Sequence, residues 1–189
     1  KRHLDMVYAH LKYSDKPFMG SVTALERVED SIAMARIVFG EEFVDSNCVI
    51  QGNINVNSPL VYDKTMTEAL KGYARANQGT VITPFILGGA MSPVTMPAAI
   101  AQAHAETMVG VALTQLVRPG SSAVYGNFLT TMDLKSGAPT FGTAESSLAT
   151  FAVGQMARRL GLPFRAGGHY TASKVSDAQA MQESADSMY

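Results

Sequence analysis

The sequence predicts an α/β fold, a parallel sheet whose strands are joined by helices, and three observations predict it. Short β-branched runs alternate with segments of helical periodicity from residue 15 onward. Each run ends in a polar turn bearing glycine or proline before the next helix begins. The units recur at intervals of roughly 30–40 residues, the length that a strand–helix–strand crossover needs. No sequence repeat accompanies this architectural one, and no linker or low-complexity segment interrupts it.

The elements follow in order. The polar stretch KRHLDMVYAHLKYSD reads as a leading helix that carries His3 and His10. DKPFMGSV, residues 15–22, is the first strand, and Thr23 is placed to cap the next helix. There Leu25, Val28, Ile32, Ala35 and Val38 share one face and Gly40 ends the helix. Residues 47–54 form the second strand. The loop NVNSPLVYDK then leads to a helix opened by Thr65 with Glu68 three residues on, the spacing of a capping box. Residues 80–87 are the third strand, shortened by Pro84, which lacks an N–H for the sheet. The third of these helices starts at Thr95, with Pro97 in its first turn, and ends near Arg118, Pro119 and Gly120. Residues 122–127 are the fourth strand. The loop FLTTMDLKSGAPTFG precedes a helix capped by Thr143 and closed at Gly161. Residues 163–169 are the fifth strand, and a last helix opens at Ser176 with Gln179 in the capping-box position.

Composition excludes several function classes. The 189 residues are 47% apolar and 16% charged with a net charge of −1, which gives no electrostatic reason for nucleic acid or an acidic membrane as partner. The single cysteine, Cys48, cannot form a disulfide within the chain or a multi-thiolate metal site, and a reducing compartment is the simpler reading. The N-terminus lacks the apolar core of a signal peptide. The longest apolar stretch, residues 96–117, contains Gln102, His104, Glu106 and Gln115 and reads as a buried helix. A cytoplasmic chain forming one domain over residues 1–189 is expected.

Two architectures share the strand–helix plan. A doubly wound sheet is complete at five strands, whereas an eight-stranded barrel has three further ones. Small-residue-rich strands and polar, glycine-bearing loops after every strand favour the barrel. In either, the working edge is the C-terminal end of the strands. GSVT, QGNINVN, GGAMS, YGNF and GGHYTASK lie there. In an extended GNINVN, the amides of Asn53, Asn55 and Asn57 point one way and can hold a polar substrate, or they satisfy loop backbone groups. Tyr125 and Asn127 share a face at i, i+2 spacing. The tyrosine ring suits a cation, or it packs in the core with its hydroxyl satisfied. Gly167 and Gly168 permit close approach of a ligand, and His169 is a candidate proton or hydrogen-bond donor. Tyr170 and Lys174 match Y-x-x-x-K, but no G-x-G-x-x-G turn accompanies them, so a short-chain dehydrogenase is rejected. His104 and Glu106 read as ordinary helix positions. Asp133 and Glu145 flank the loop after the fourth strand, and Glu145 suits a helix N-terminus.

DKPFMGSV, TPFILGGAMSPVT, VGVALTQLVRPG, MDLKSGAPTFGTAE and GGHYTASKVSDAQA occur in this order along nearly the whole chain, which resembles the trimethylamine methyltransferase family. The resemblance implies a partial TIM (β/α)8 barrel: about five βα units preceded by a helix, the central portion of a longer barrel. It implies that a methyl group passes from a methylated amine to the cobalt of a corrinoid (cobalamin) carried by a separate partner protein. Family members specific for trimethylamine carry pyrrolysine in the barrel, and none stands in this chain. A quaternary amine such as glycine betaine is therefore the expected substrate. The implied sites are His169 as the catalytic group and Asn53, Asn55, Tyr125, Asn127 and Tyr170 around the amine. Gly88, Gly89, Gly167 and Gly168 are the expected points of close approach by the cofactor. The open edges of a partial barrel make a homo-oligomer expected. Two other readings stand beside this one. The first is a lyase or aldolase using Lys174 as an amine, which requires that lysine to be desolvated. The second is a non-catalytic barrel piece that binds a partner protein.

Overall fold

The computed structural model describes residues 1–188. In chain order they form α1 (Arg2–Tyr13), β1 (Phe18–Met19), α2 (Leu25–Phe39), α3 (Glu41–Ser46), β2 (Ile50–Val56), α4 (Lys64–Arg75) and β3 (Gly79–Gly88). They continue with α5 (Met96–Val117), β4 (Ala123–Gly126), β5 (Phe128–Thr131), α6 (Ala144–Arg159), β6 (Phe164–Arg165) and α7 (Ala178–Asp186). The sheet order is β1-β2-β3-β4-β6, with β5 also paired to β3. β1 runs parallel to β2, β5 to β3 and β6 to β4. Each crossover advances one place in the same direction. A doubly wound sheet reverses its strand order at a switch point, and this one does not. The fold is α/β, a partial (β/α)8 barrel.

The chain divides into two compact units. The first is Lys1–Val56, Tyr62–Thr83 and Met108–Val124; the second is Asn57–Val61, Pro84–Thr107 and Tyr125 onward. In the first, α4 packs on β2 and α2 packs on α1 and α4. Alternate β2 residues Ile50, Gly52, Ile54 and Val56 are buried, as the two-residue period of a strand requires. Gly52 is needed there: a Cβ would run into the ring of Tyr73 from α4, which is itself fully buried. The Tyr73 hydroxyl donates to the Ser21 carbonyl at 2.7 Å, and burial pushes its pKa well up. Buried Gln78 staples the chain ahead of β3. Its Oε1 accepts from the Val49 and Ile50 amides at 3.0 and 3.1 Å, and its Nε2 donates to the Val44 carbonyl at 2.7 Å. Thr80 and Thr114 pair their hydroxyls at 3.1 Å.

In the second unit Ile86, Ala99, Ala103, Leu129 and Ala149 form one apolar cluster, and Tyr125, Val153 and Ala157 form another. Alanines on α5 and α6 let these helices lie close to the strands they cover.

Several element boundaries differ from expectation for local reasons. Asp63 rather than Thr65 caps α4, accepting from the Met66 amide at 2.7 Å. Asp177 rather than Ser176 caps α7, accepting from the Ala180 amide at 2.8 Å. In both cases a nearby carboxylate takes the amide, two residues upstream of the expected cap at Asp63 and one residue downstream of it at Asp177. α2 has Ala24 at its N-cap with no side-chain cap, and the Thr23 hydroxyl instead accepts from Arg27 at 2.9 Å. The fifth strand, expected over residues 163–169, pairs only at Phe164–Arg165. The fourth extends past Asn127 as β5. The Thr80 amide donates to the Ser122 carbonyl and Phe85 aligns with Phe128, so both halves keep the same offset against β3. α3 follows Gly40, whose φ of 89° turns the chain after α2, and buries Val44.

Candidate functional site

β5 alternates as a strand must. Leu129 faces the helices and is buried against Ala149, so Phe128 points to the opposite side of the sheet. Phe85 is its register partner on β3 and likewise opposes Ile86. Their ring centroids lie 5.1 Å apart. Two loop rings complete the cluster. Phe141 and Tyr170 stand edge-on to Phe128 at 6.1 and 5.7 Å, and 5.6 Å from each other. Four rings at such distances form a wall of π faces and edges. The hollow beside it is lined by Asn127, Thr130, Ser146, Thr150, Gly167 and Tyr170 among others. Its free volume is about 30 Å³, room for one or two waters, so the rings here close on one another.

Hydroxyl groups fix the loops that carry these rings. Thr130 donates to the Thr140 carbonyl and lies 2.7 Å from the Ser146 hydroxyl. The Thr131 and Thr140 hydroxyls meet at 2.7 Å, just before Phe141. Tyr170 is held through its amide, which donates to Ser187 Oγ at 3.1 Å. The next two residues are tied to Glu183 of α7: the Thr171 hydroxyl and the Ala172 amide donate to Oε2 at 2.7 and 2.8 Å. Hydrogen bonds from Thr171, Gln179 and Ala172 hold the Glu183 carboxyl below its usual range. Asp133 closes its own turn, accepting from Ser136 Oγ at 2.6 Å and the Lys135 amide at 3.0 Å, which lowers its pKa. Among the described residues no group of acidic, histidine or cysteine side chains is arranged to hold a metal ion.

In the first unit, Asn53 and Asn55 share the β2 face opposite Ile54. Asn53 donates to Asn55 Oδ1 at 3.2 Å and accepts from the Thr83 hydroxyl at 2.9 Å. Asn55 is exposed, with acceptor and donor capacity beyond this link.

The structure separates the other expected site residues. Asn127 is buried in the second unit and its amide reaches the Thr150 hydroxyl at 3.5 Å. Tyr125 takes the core-packing alternative. It is fully buried, packs with Val153 and Ala157, and its hydroxyl meets His104 Nδ1 at 3.0 Å. Strand alternation turns it toward the helices, away from the side that Phe128 occupies. Burial pushes its pKa up to about 12. His169 is exposed, with φ 59°. Gly167 does allow a close approach, but by the Tyr170 ring, which a Cβ there would strike. At Gly88, Gly89 and Gly168 a Cβ would make only ordinary van der Waals contacts, none nearer than 3.5 Å. Lys174 is exposed, so the lyase reading lacks its desolvated amine.

Sequence reasoning missed Phe85, Phe128 and Phe141. Phe85 was detectable, since it alternates with Ile86 in a strand already expected. Phe128 fell in a segment read as loop, and Phe141 stands in a glycine- and proline-bearing loop with no periodicity to place it.

Comparison with known proteins adds the following. The family profile described as trimethylamine methyltransferase matches residues 1–189. The chain is 39% identical over 184 residues to a glycine betaine methyltransferase of Desulfitobacterium hafniense, covering 97% of this chain and 38% of that protein. It is 29% identical over 190 residues to a proline betaine:corrinoid methyltransferase of Eubacterium limosum, covering 96% of this chain and 39% of that protein. It is 32% identical over 126 residues to a trimethylamine methyltransferase of Methanosarcina thermophila, covering 67% of this chain and 26% of that protein. The chain thus spans about two fifths or less of the length of these relatives. No helix among the described residues is long and apolar enough to cross a membrane.

Proposed function

The chain belongs to the trimethylamine methyltransferase family, and from that premise we propose that it carries part of the amine site of an enzyme that demethylates a quaternary amine. A corrinoid carried by a partner protein would supply the nucleophilic metal to which the methyl group is transferred. The observation that carries this reading is the wall formed by Phe85, Phe128, Phe141 and Tyr170, in a chain 39% identical to a glycine betaine methyltransferase. Aromatic faces are the usual protein device for a quaternary ammonium, which has no N–H to donate and offers only spread positive charge and methyl groups. Opening the wall to seat such a group falls to Tyr170 and Phe141, the two rings on loops.

The charge balance says what each part contributes. When the methyl leaves, the C–N bonding pair stays on nitrogen and the fixed positive charge disappears. The wall therefore holds the substrate more tightly than the transition state, and its role is selection and orientation rather than charge stabilisation. Rate comes from aligning the methyl with the incoming nucleophile. A flat macrocycle needs small residues at its contact surface, and Gly88, Gly89 and Gly168, which carry no side chain, suit that need. His169, exposed at the end of the fifth strand segment, is in this reading a polar contact at the mouth.

The test is demethylation by the whole enzyme with its corrinoid partner, using glycine betaine, other betaines and trimethylamine. Formation of the tertiary amine from a betaine is the expected result. Turnover of trimethylamine alone overturns the quaternary assignment, and no turnover of any methylated amine overturns the function.

A further inference from the structure

A buried carboxylate away from the aromatic wall ties two turns together. Glu106 lies in the middle of α5 and is 2% exposed. The Ser58 hydroxyl donates to its Oε2. The Leu60 amide donates to its Oε1 at 2.8 Å, and so does Gln102 Nε2, one helical turn earlier, at 2.9 Å. Gln102 Nε2 also donates to the Met91 carbonyl at 2.8 Å. Residues 57–61 are the turn that follows β2, closed by an antiparallel bridge between Asn57 and Val61. Met91 belongs to the turn that follows β3, where the Leu87 carbonyl accepts from the Ala90 and Met91 amides. One carboxylate and one carboxamide thus link turns at the C-terminal ends of two successive strands.

A second observation concerns backbone strain. Leu60 has φ 61°, a region that disfavours any residue with a side chain, and its side chain is 71% exposed. Such a conformation persists only where surrounding contacts over-determine it, and such residues concentrate at functional sites. The contact that fixes the Leu60 amide is the Glu106 carboxylate.

We propose that Glu106 is a positioning residue that locks the turns after β2 and β3 into one unit, so that both keep their place during methyl transfer. The catalytic part of this statement rests on the function proposed above; the mechanical part does not. A reaction governed by alignment is sensitive to the placement of mouth turns even where they make no chemical contribution.

Amide hydrogen exchange on the chain as it stands tests the lock without substrate. Glu106→Ala is expected to speed exchange about tenfold or more at Leu60 and across residues 89–92, with α2 and α4 unchanged. Glu106→Gln keeps an acceptor for the Leu60 amide and restores protection. Ser58→Ala and Gln102→Ala each cut one arm, so the first acts on residues 57–61 and the second on residues 89–92. These two variants decide the matter if Glu106→Ala does not fold. Unchanged exchange at both turns, or a uniform rise throughout the chain, overturns the lock. In the whole enzyme Glu106→Ala lowers kcat about tenfold and Glu106→Gln recovers most of it. A kcat that follows only the folded fraction overturns the positioning role. Absence of turnover in the unaltered enzyme overturns the function instead and leaves the exchange result standing.

Discussion

The two compact units use the same strand–helix plan but place their polar side chains differently. In the first, buried polar groups join regular elements. Gln78 ties the start of β3 to the start of β2, Tyr73 hooks α4 to Ser21, and Thr80 pairs with Thr114 of α5. In the second, polar groups mostly hold loops. Glu106 holds residues 58 and 60, Glu183 holds residues 171 and 172, and Thr130 holds residue 140. The aromatic wall is in this second unit, two of its four rings on those loops. The difference teaches that a shared plan permits division of labour. Regular elements satisfy their own backbone groups and spare side chains for packing. Loops cannot, so side chains must hold them, and the same loops are free to carry a site.

Four measurements probe the contrast between the two units. The largest effect is expected at Gln78. Gln78→Ala leaves the Val49 and Ile50 amides and the Val44 carbonyl without their partner, and should lower the stability of the chain by about 3 kcal/mol in urea unfolding. A loss below about 1 kcal/mol would show that water replaces the staple and that the first unit is not held as described. Gly52→Ala comes next. Its Cβ meets the buried Tyr73 ring, and overpacking should cost about 2 kcal/mol, read in the same assay.

Tyr170→Ala tests the second unit. Tyr170 is only partly buried, so stability should hardly move, while KM for a quaternary amine should rise about tenfold with kcat unchanged or raised, because the wall binds the charged ground state more tightly than the transition state. An equal fall in kcat would assign the ring to the transition state. The smallest effect is acidic. The Glu183 carboxyl is held below its usual value of 4.5, chiefly by the Thr171 hydroxyl, and that of Asp177 below 3.8, chiefly by the Ala180 amide. A depressed carboxyl stabilises above its unfolded value and loses that contribution as pH falls through its folded one. Limited proteolysis of residues 170–176 should therefore stay constant between about pH 5 and 8 and increase only at stronger acidity. Glu183→Ala should reproduce the acid behaviour at neutral pH.

Much of the scaffold was legible because it rests on short-range rules. The 3.6-residue period buried Val28, Ile32 and Ala35 as expected. Val38 on the same stripe is 53% exposed, because it falls in the last turn of α2, next to Gly40. Boundaries were less legible where two capping residues stood close together, as at Asp63 and Thr65. The site was less legible still. Glu106 looked like any helix residue, since two of its partners, Ser58 and Leu60, lie more than forty positions upstream. Tyr125 looked like a cage ring, since spacing gives two faces and does not say which one the helices cover.

The α/β class, the alternation of the main strands and helices and the methyltransferase family were legible in the sequence alone, because periodicity, turn residues and long matching strings are properties of neighbours along the chain. Only the tertiary structure decided which rings meet. Phe85, Phe128, Phe141 and Tyr170 are brought together by strand register and by hydroxyl-tied loops, and contacts between distant segments are set by packing, which no local pattern encodes.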